Sequence, residues 1–115
     1  MLDITDHTVG DVTVLTLKGR LVLEDDELPL VGIVERLFRE NRLKLVLDLR
    51  DVTYIDSTGL GLLVAKYVGA RRRGGDLRLV HLTARTAHLM EITKLAAVFS
   101  TFDSEGDAVE SFAVS

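Results

Sequence analysis

Residues 43–63 read LKLVLDLRDVTYIDSTGLGLL, a strongly aliphatic segment that runs into a cluster of helix-capping residues. The first seven residues are rich in aliphatic side chains and bounded by charge, which is typical of a strand buried in the centre of a sheet. We expect residues 51–55 to form a connection and a helix to run from near Thr58 to about Arg73. A strand that leads into a helix is the repeating unit of α/β folds.

The second helix of the chain is predicted from an apolar stripe and from the residues at its C-terminal end. Helical spacing places on one face Leu60, Leu63, Val64, Tyr67 and Val68. Arginines at 71–73 and glycines at 74 and 75 suit a helix end, because cations complement the helix dipole and glycine permits the turn that follows. Leu62 falls off the stripe, so we expect it to be exposed close to Ser57.

The N-terminal third of the chain predicts a hairpin followed by a helix. Residues 2–8 and 12–18 are candidate strands around a turn at 9–11, and Gly19 is expected to end the second strand. Residues 24–26 (EDD) are expected to open the first helix, with Asp26 as its cap and Pro29 in its first turn. Its apolar stripe consists of Leu30, Ile33, Val34, Leu37 and Phe38, and Asn41 marks its stop.

The C-terminal third repeats the alternation of strands and helices. We expect a strand over 76–82 with His81 as a satisfied strand residue, a helix capped by Thr83 to about Thr93, a strand over 97–102, and a last helix capped by Ser104 with Val109 and Phe112 facing inward. The order β-β-α-β-α-β-α-β-α predicts a single α/β domain over residues 1–115. Its sheet should be mixed but mostly parallel, with about five strands and about four helices.

Composition narrows the possible functions. The chain has 115 residues, no cysteine and a formal net charge of −4. Disulfides and thiolate metal sites are therefore excluded, and nucleic acid is an unexpected partner because binders of it usually carry a basic excess. The first residues are acidic where a signal peptide would be basic, and no apolar run is long enough to span a bilayer. We expect a cytoplasmic protein without direct membrane insertion.

The chemistry-bearing residues are concentrated at the start of the second helix. Asp56, Ser57 and Thr58 are three consecutive cap-competent residues where one would suffice. Gly59 and Gly61 each weaken a helix by about 1 kcal/mol relative to alanine, and they leave a surface that another backbone can approach closely. The alternative interpretation is an ordinary cap with glycines that serve packing.

Enzymatic and cofactor sites are not indicated. The motif Gly59-Leu60-Gly61 is not a dinucleotide fingerprint, because Val64 occupies the third glycine position. The three histidines, His7, His81 and His88, have no ligand spacing, and no catalytic triad or acid/base pair emerges. We therefore expect a non-enzyme without a metal or cofactor.

Residues 54–63, YIDSTGLGLL, resemble the signature of the STAS domain, the family of bacterial anti-sigma factor antagonists. The resemblance extends over almost the whole chain, through Gly19, the segment GGDLRL at 74–79, residues 82–95, Val98-Phe99 and residues 105–112. It departs at Gly19-Arg20-Leu21-Val22, where many antagonists have Gly-Glu-Leu-Asp, and at Lys94, where relatives often have glycine. The Arg20 loop should lie beside the Ser57 turn and help to select the partner.

The resemblance implies a phosphorylation switch. The unmodified antagonist would bind an anti-sigma factor that is also a serine/threonine kinase of the histidine-kinase-like ATPase fold. That kinase would inactivate it by phosphorylating Ser57, and a metal-dependent serine phosphatase would reverse the change. The residues expected at the partner surface are Arg20, Leu21, Val22, Asp56, Ser57, Thr58, Gly59, Gly61 and Leu62. The domain would act as a monomer or weak dimer. Two alternatives are a STAS subunit of a membrane transport ATPase and a small-ligand sensor.

Overall fold

The computed structural model describes residues 2–22 and 28–113. Its five strands form one sheet in the spatial order β1-β2-β3-β4-β5. The strands are β1 Leu2–Val9, β2 Val12–Leu21, β3 Lys44–Ile55, β4 Asp76–Val80 and β5 Thr101–Phe102. The helices are α1 Leu28–Arg39, α2 Ser57–Arg72, α3 Ala84–Ile92 and α4 Glu105–Ser111. Only β1 and β2 pair antiparallel, and the remaining neighbours are parallel. The predicted mixed, mostly parallel α/β fold is confirmed.

Alternation along the strands gives the sheet two buried faces. In β3, Leu45, Leu47 and Leu49 belong to a large core that includes residues of α1, α2 and α3. Val46 points to the other side, where a smaller cluster includes Phe112 at the end of α4. Side chains of a strand alternate between faces, so a strand covered on both sides must be aliphatic throughout. This explains why residues 43–49 carry so strong a signal.

The predicted apolar stripe of the first helix and the place of Pro29 in its first turn are confirmed. Leu30, Val34, Leu37 and Phe38 are buried and Ile33 packs against the same core. The helix begins at Leu28, with Pro29 in its first turn. The predicted opening at 24–26 and the Asp26 cap lie outside the described residues.

Strands β2 and β3 are longer than predicted. Gly19 was expected to end β2, but the strand continues to Leu21, and β3 continues through residues 51–55, which were predicted to be a connection. Residues 19–21 remain in parallel register with 52–55 after two shifts in the ladder. Gly19, with φ of +118°, sits at one of these irregularities, where a residue with a side chain would be strained. Glycine therefore marks a bulge here and not a strand end.

The edge at β4 and β5 also differs from the prediction. Strand β4 ends at Val80, and His81 adopts a left-handed backbone (φ +59°) instead of continuing the strand. The predicted strand over 97–102 is reduced to Thr101–Phe102, preceded by a 3-10 turn at Leu95–Ala97. That turn allows Phe99 to be buried, with its ring 5.2 Å from the ring of Tyr67 in an edge-on contact. In this segment the burial of the Phe99 side chain thus takes the place of the further hydrogen bonds that a longer β5 would make with β4.

Candidate functional site

The site predicted around Ser57 is built on the junction between β3 and α2. Asp56 follows the end of β3 and is the N-cap of α2, where its Oδ1 accepts a hydrogen bond of 2.8 Å from the backbone N–H of Gly59. The carbonyl of Asp56 accepts the N–H of Leu60 at 2.9 Å, which closes the first turn. Of the three cap-competent residues, Asp56 therefore acts as the cap.

Ser57 and Thr58 project from this cap into solvent. Both residues are exposed, and neither side chain has a hydrogen-bond partner within residues 2–22 and 28–113. Ser57 is the first residue of α2, where unpaired N–H groups and the helix dipole favour a negative group. An anion attached to the Ser57 oxygen would thus be compatible with the helix.

The two glycines of the signature have different environments. Gly61 is exposed, and a Cβ built on it would meet no atom within 4 Å. Gly59 is buried, and a Cβ built on it would lie only 2.1 Å from the carbonyl oxygen of Leu21. The expectation that Gly59 keeps a surface bare for a partner is therefore wrong, because the close approach is made by the protein's own strand β2.

The end of β2, with Arg20 and Leu21, lies beside the Ser57 turn, as expected for Arg20. The N–H of Asp56 donates to the carbonyl of Leu21 at 3.3 Å. The side chains of Leu21 and Val22, however, are buried, at 0% and 3% exposure, so the prediction that they contact a partner is wrong for the domain as folded here. Arg20 is exposed and stands in register with Tyr54 on β3.

Two predictions about side chains of α2 need correction. Leu62 is half-buried and packs against the main core, although it was expected to be exposed. Val68, placed on the apolar stripe, is 38% exposed. A 16-residue helix lying on a twisted sheet turns its buried face gradually, so a stripe drawn at fixed spacing fails first at its margins.

Sequence reasoning missed Tyr54 and Ile92. Tyr54 is 46% exposed and Ile92 is 63% exposed, and both line a groove of about 180 Å³ between β3 and α3. Tyr54 is the first residue of the signature YIDSTGLGLL, so the sequence did offer a signal that this residue belongs to the site. Nothing in the sequence around Ile92 separates it from a core residue of α3.

A second concave region lies at the carboxyl ends of β4 and β5. It has a volume of about 500 Å³, and Arg50, His81 and Asp103 are among its lining residues. His81 Nε2 is 2.8 Å from an Arg50 guanidinium nitrogen, and its Nδ1 is 3.2 Å from Asp48 Oδ1. Since Arg50 can only donate, His81 Nε2 accepts from it, whereas the contact between Nδ1 and Asp48 lacks hydrogen-bond geometry. The cluster ties the left-handed turn at His81 to β3.

Residues 2–22 and 28–113 contain no group of three or more His, Asp or Glu side chains arranged to hold a metal ion. None of the helices there combines the length and the apolar character that crossing a membrane requires.

Comparison with known proteins places the chain in a family. The model of the STAS domain matches residues 3–108. The chain belongs to the STAS family. An anti-sigma-B factor antagonist of Bacillus subtilis is 41% identical over 59 residues, which are 50% of this chain and 54% of that protein. The STAS domain thus spans about half the length of the curated relatives that it matches first.

Solved structures share the fold over nearly the whole domain. A crystal structure of a Thermotoga maritima protein, provisionally assigned as an anti-sigma factor antagonist, has a TM-score of 0.87 and 25% identity, covering 94% of this chain and 92% of its own. The phosphorylated form of SpoIIAA, a Bacillus cell fate determinant, has a TM-score of 0.73 and 15% identity, covering 96% and 99%. The second comparison shows the fold alone.

Proposed function

We propose that this STAS domain is an anti-sigma factor antagonist that is switched by phosphorylation of Ser57. In its unmodified state it binds an anti-sigma factor that is also a serine/threonine kinase of the histidine-kinase-like ATPase fold. Phosphorylation by that kinase releases the domain, and a metal-dependent serine phosphatase restores it. The proposal assigns the domain a regulatory role and not a catalytic one. Its main support is the exposed Ser57 side chain at the first position of α2, beside the Asp56 cap.

The physical effect of a phosphate differs between the free and the docked domain. A phosphate adds about −1.5 to −2 charges at neutral pH. In the free domain it lies at a helix N-terminus, where the dipole favours it and water solvates it. In a docked complex the same group is buried beside the Asp56 carboxylate, and burial of an unpaired charge is strongly unfavourable. The fold therefore tolerates the modification while the complex does not.

The comparisons support the choice of partner. The relatives that match the chain include anti-sigma-B factor antagonists, and an anti-sigma F factor antagonist of Paenibacillus polymyxa matches 90% of the chain at 23% identity. SpoIIAA, which has the same fold, has been solved in its phosphorylated form. Arg20 is exposed near the Ser57 turn, where many antagonists carry an acid.

The test is incubation of the domain with candidate kinases of this class and ATP, followed by titration calorimetry. Wild type should bind and incorporate one phosphate at Ser57. Ser57→Ala should bind but incorporate none, Thr58→Ala should behave as wild type, and Ser57→Asp should bind weakly. Equal binding of Ser57→Ala and Ser57→Asp would refute the switch. Stable association with a transport ATPase, without phosphorylation, would favour the alternative of a transporter subunit.

A further inference from the structure

The groove between β3 and α3 offers an apolar surface close to Ser57. Tyr54 and Ile92 line it with large exposed areas, and Ile55 and Leu89 complete its apolar lining. We call it the Tyr54–Ile92 groove. Its volume, about 180 Å³, is of the order of a single large side chain. Exposed apolar side chains that converge on a depression mark interaction sites more often than isolated ones do.

The residues of α3 that line this groove form one face of the helix. Residues at positions i, i+3, i+4 and i+7 lie on one face of a helix. In α3 these positions are occupied by Arg85, His88, Leu89 and Ile92. Thr86, which also lines the groove, and Met90 are buried, and Leu89 packs against the main core. The helix is therefore anchored to the domain through these three residues, while Arg85, His88 and Ile92 stay exposed along the groove.

Two basic residues, Arg85 and His88, lie beside the groove. Both are exposed, and neither has a hydrogen-bond or ion-pair partner within residues 2–22 and 28–113. Several other arginines of the domain are engaged, as in the pair of Arg78 with Asp76 at 3.1 Å. A free guanidinium beside an apolar groove is suited to a carboxylate on the molecule that fills the groove.

The groove is continuous with the surface around Ser57. Ile55, the last residue of β3, lines it, and two residues of chain span at most about 7 Å between Ile55 and Ser57. Arg20 stands in register with Tyr54, so it borders the same region from β2. A protein that docks over Ser57 can therefore contact the groove as part of the same continuous surface.

We infer that the Tyr54–Ile92 groove is the specificity pocket for the kinase that phosphorylates Ser57, and that it receives one large apolar side chain flanked by an aspartate or glutamate of that kinase. The inference rests on the proposed function. The apolar side chain fills the groove and desolvates it, and the acid pairs with Arg85. Since buried apolar anchors carry most of the energy of such contacts, the groove should decide affinity while Ser57 decides the switch.

The experiment is titration calorimetry of the full domain against the kinase that phosphorylates it, at two salt concentrations. Ile92→Glu should weaken binding by about tenfold or more, because it places a carboxylate in an apolar contact. Arg85→Glu should weaken binding similarly, and its affinity should vary less with salt than that of wild type. The matched control is Val9→Glu, which alters a 42% exposed valine at the opposite end of the sheet and should bind within about twofold of wild type.

The outcomes separate the two proposals. If Ile92→Glu and Arg85→Glu bind as wild type while Ser57→Asp does not bind, the groove is not the docking pocket, although the switch at Ser57 stands. If wild type neither binds nor is phosphorylated by kinases of this class, both proposals are overturned. Circular dichroism and thermal unfolding of each variant establish that the exposed substitutions leave the fold intact.

Discussion

Gly59 lies so close to Leu21 that a Cβ on the glycine would be 2.1 Å from the leucine carbonyl oxygen. The same carbonyl accepts a hydrogen bond of 3.3 Å from the N–H of Asp56. The end of β2 is thereby joined to the residue that caps α2, and the position of Ser57 between Asp56 and Gly59 follows from this contact. The glycine of the signature is a structural requirement for the exposed tip of the helix.

Substitution of the two signature glycines should therefore have opposite effects. Gly59→Ala should lower the free energy of unfolding by about 1–3 kcal/mol, because the new methyl group forces β2 and α2 apart. Gly61→Ala meets open space and should raise it by up to about 1 kcal/mol through helix propensity alone. Urea denaturation of both variants measures the difference. A neutral Gly59→Ala would contradict the close packing against Leu21.

The cap of α2 gives a second prediction. Asp56→Ala removes the acceptor for the Gly59 N–H and should destabilise the domain by about 1 kcal/mol, whereas Asp56→Asn should retain most of the stability. Ser57→Ala is the matched control, because the Ser57 hydroxyl makes no hydrogen bond within the described residues, and its unfolding free energy should change by less than about 0.5 kcal/mol. Thermal and chemical unfolding give these values. Equal losses in Asp56→Ala and Ser57→Ala would contradict the assignment of Asp56 as the cap.

Negative charge at position 57 should leave the fold intact. Ser57→Asp places a carboxylate at the first residue of α2, where the dipole stabilises it by about 0.3–1 kcal/mol at low salt. We expect its melting temperature to equal or slightly exceed that of wild type, and the gain should shrink as salt is added. A variant that melts well below wild type would mean that charge at this position acts by unfolding the domain and not by blocking a surface.

The ion pair between the first two helices gives a prediction about pH. Lys66 Nζ donates to Glu35 Oε1 at 2.8 Å, and this hydrogen bond lowers the pKa of the Glu35 carboxyl below its ordinary value of 4.5. Because the folded pKa is the lower one, the contribution to stability is complete above about pH 4.5 and is lost as the pH falls through the folded value. Glu35→Gln should therefore flatten the fall in stability in acid.

The control for this effect is Glu40→Gln. Glu40 is an exposed carboxylate just beyond α1 and has no ion-pair partner in the described part of the chain. Its removal should leave the acid limb of the stability curve unchanged, and urea midpoints between pH 3 and pH 7 compare the two variants. The effect should be small, since the Glu35 side chain is 43% exposed and such pairs are screened by solvent. Parallel curves for Glu35→Gln and wild type would contradict the role of the pair.

The sequence predicted the elements whose signals are local. The aliphatic run of β3, the caps Thr83 and Ser104, and the stripe of α1 each depend on residues within one or two turns, and the structure confirms them. The errors lie where a distant segment decides. Strand β2 continues past Gly19 because β3 supplies a partner for residues 19–21, and the segment before β5 turns to bury Phe99 beside Tyr67.

The candidate site shows the same division. Neighbouring residues alone indicate that a cap-rich turn, with Ser57 in it, follows a buried strand, because capping and hydrophobic patterning are local properties. Three features became visible in the folded domain alone: Gly59 serves the contact with Leu21, Leu21 and Val22 are buried, and Tyr54 and Ile92 share a groove. Exposure and close approach depend on which segments meet in space. A pattern of neighbouring residues does not show which distant segments will meet when the chain folds.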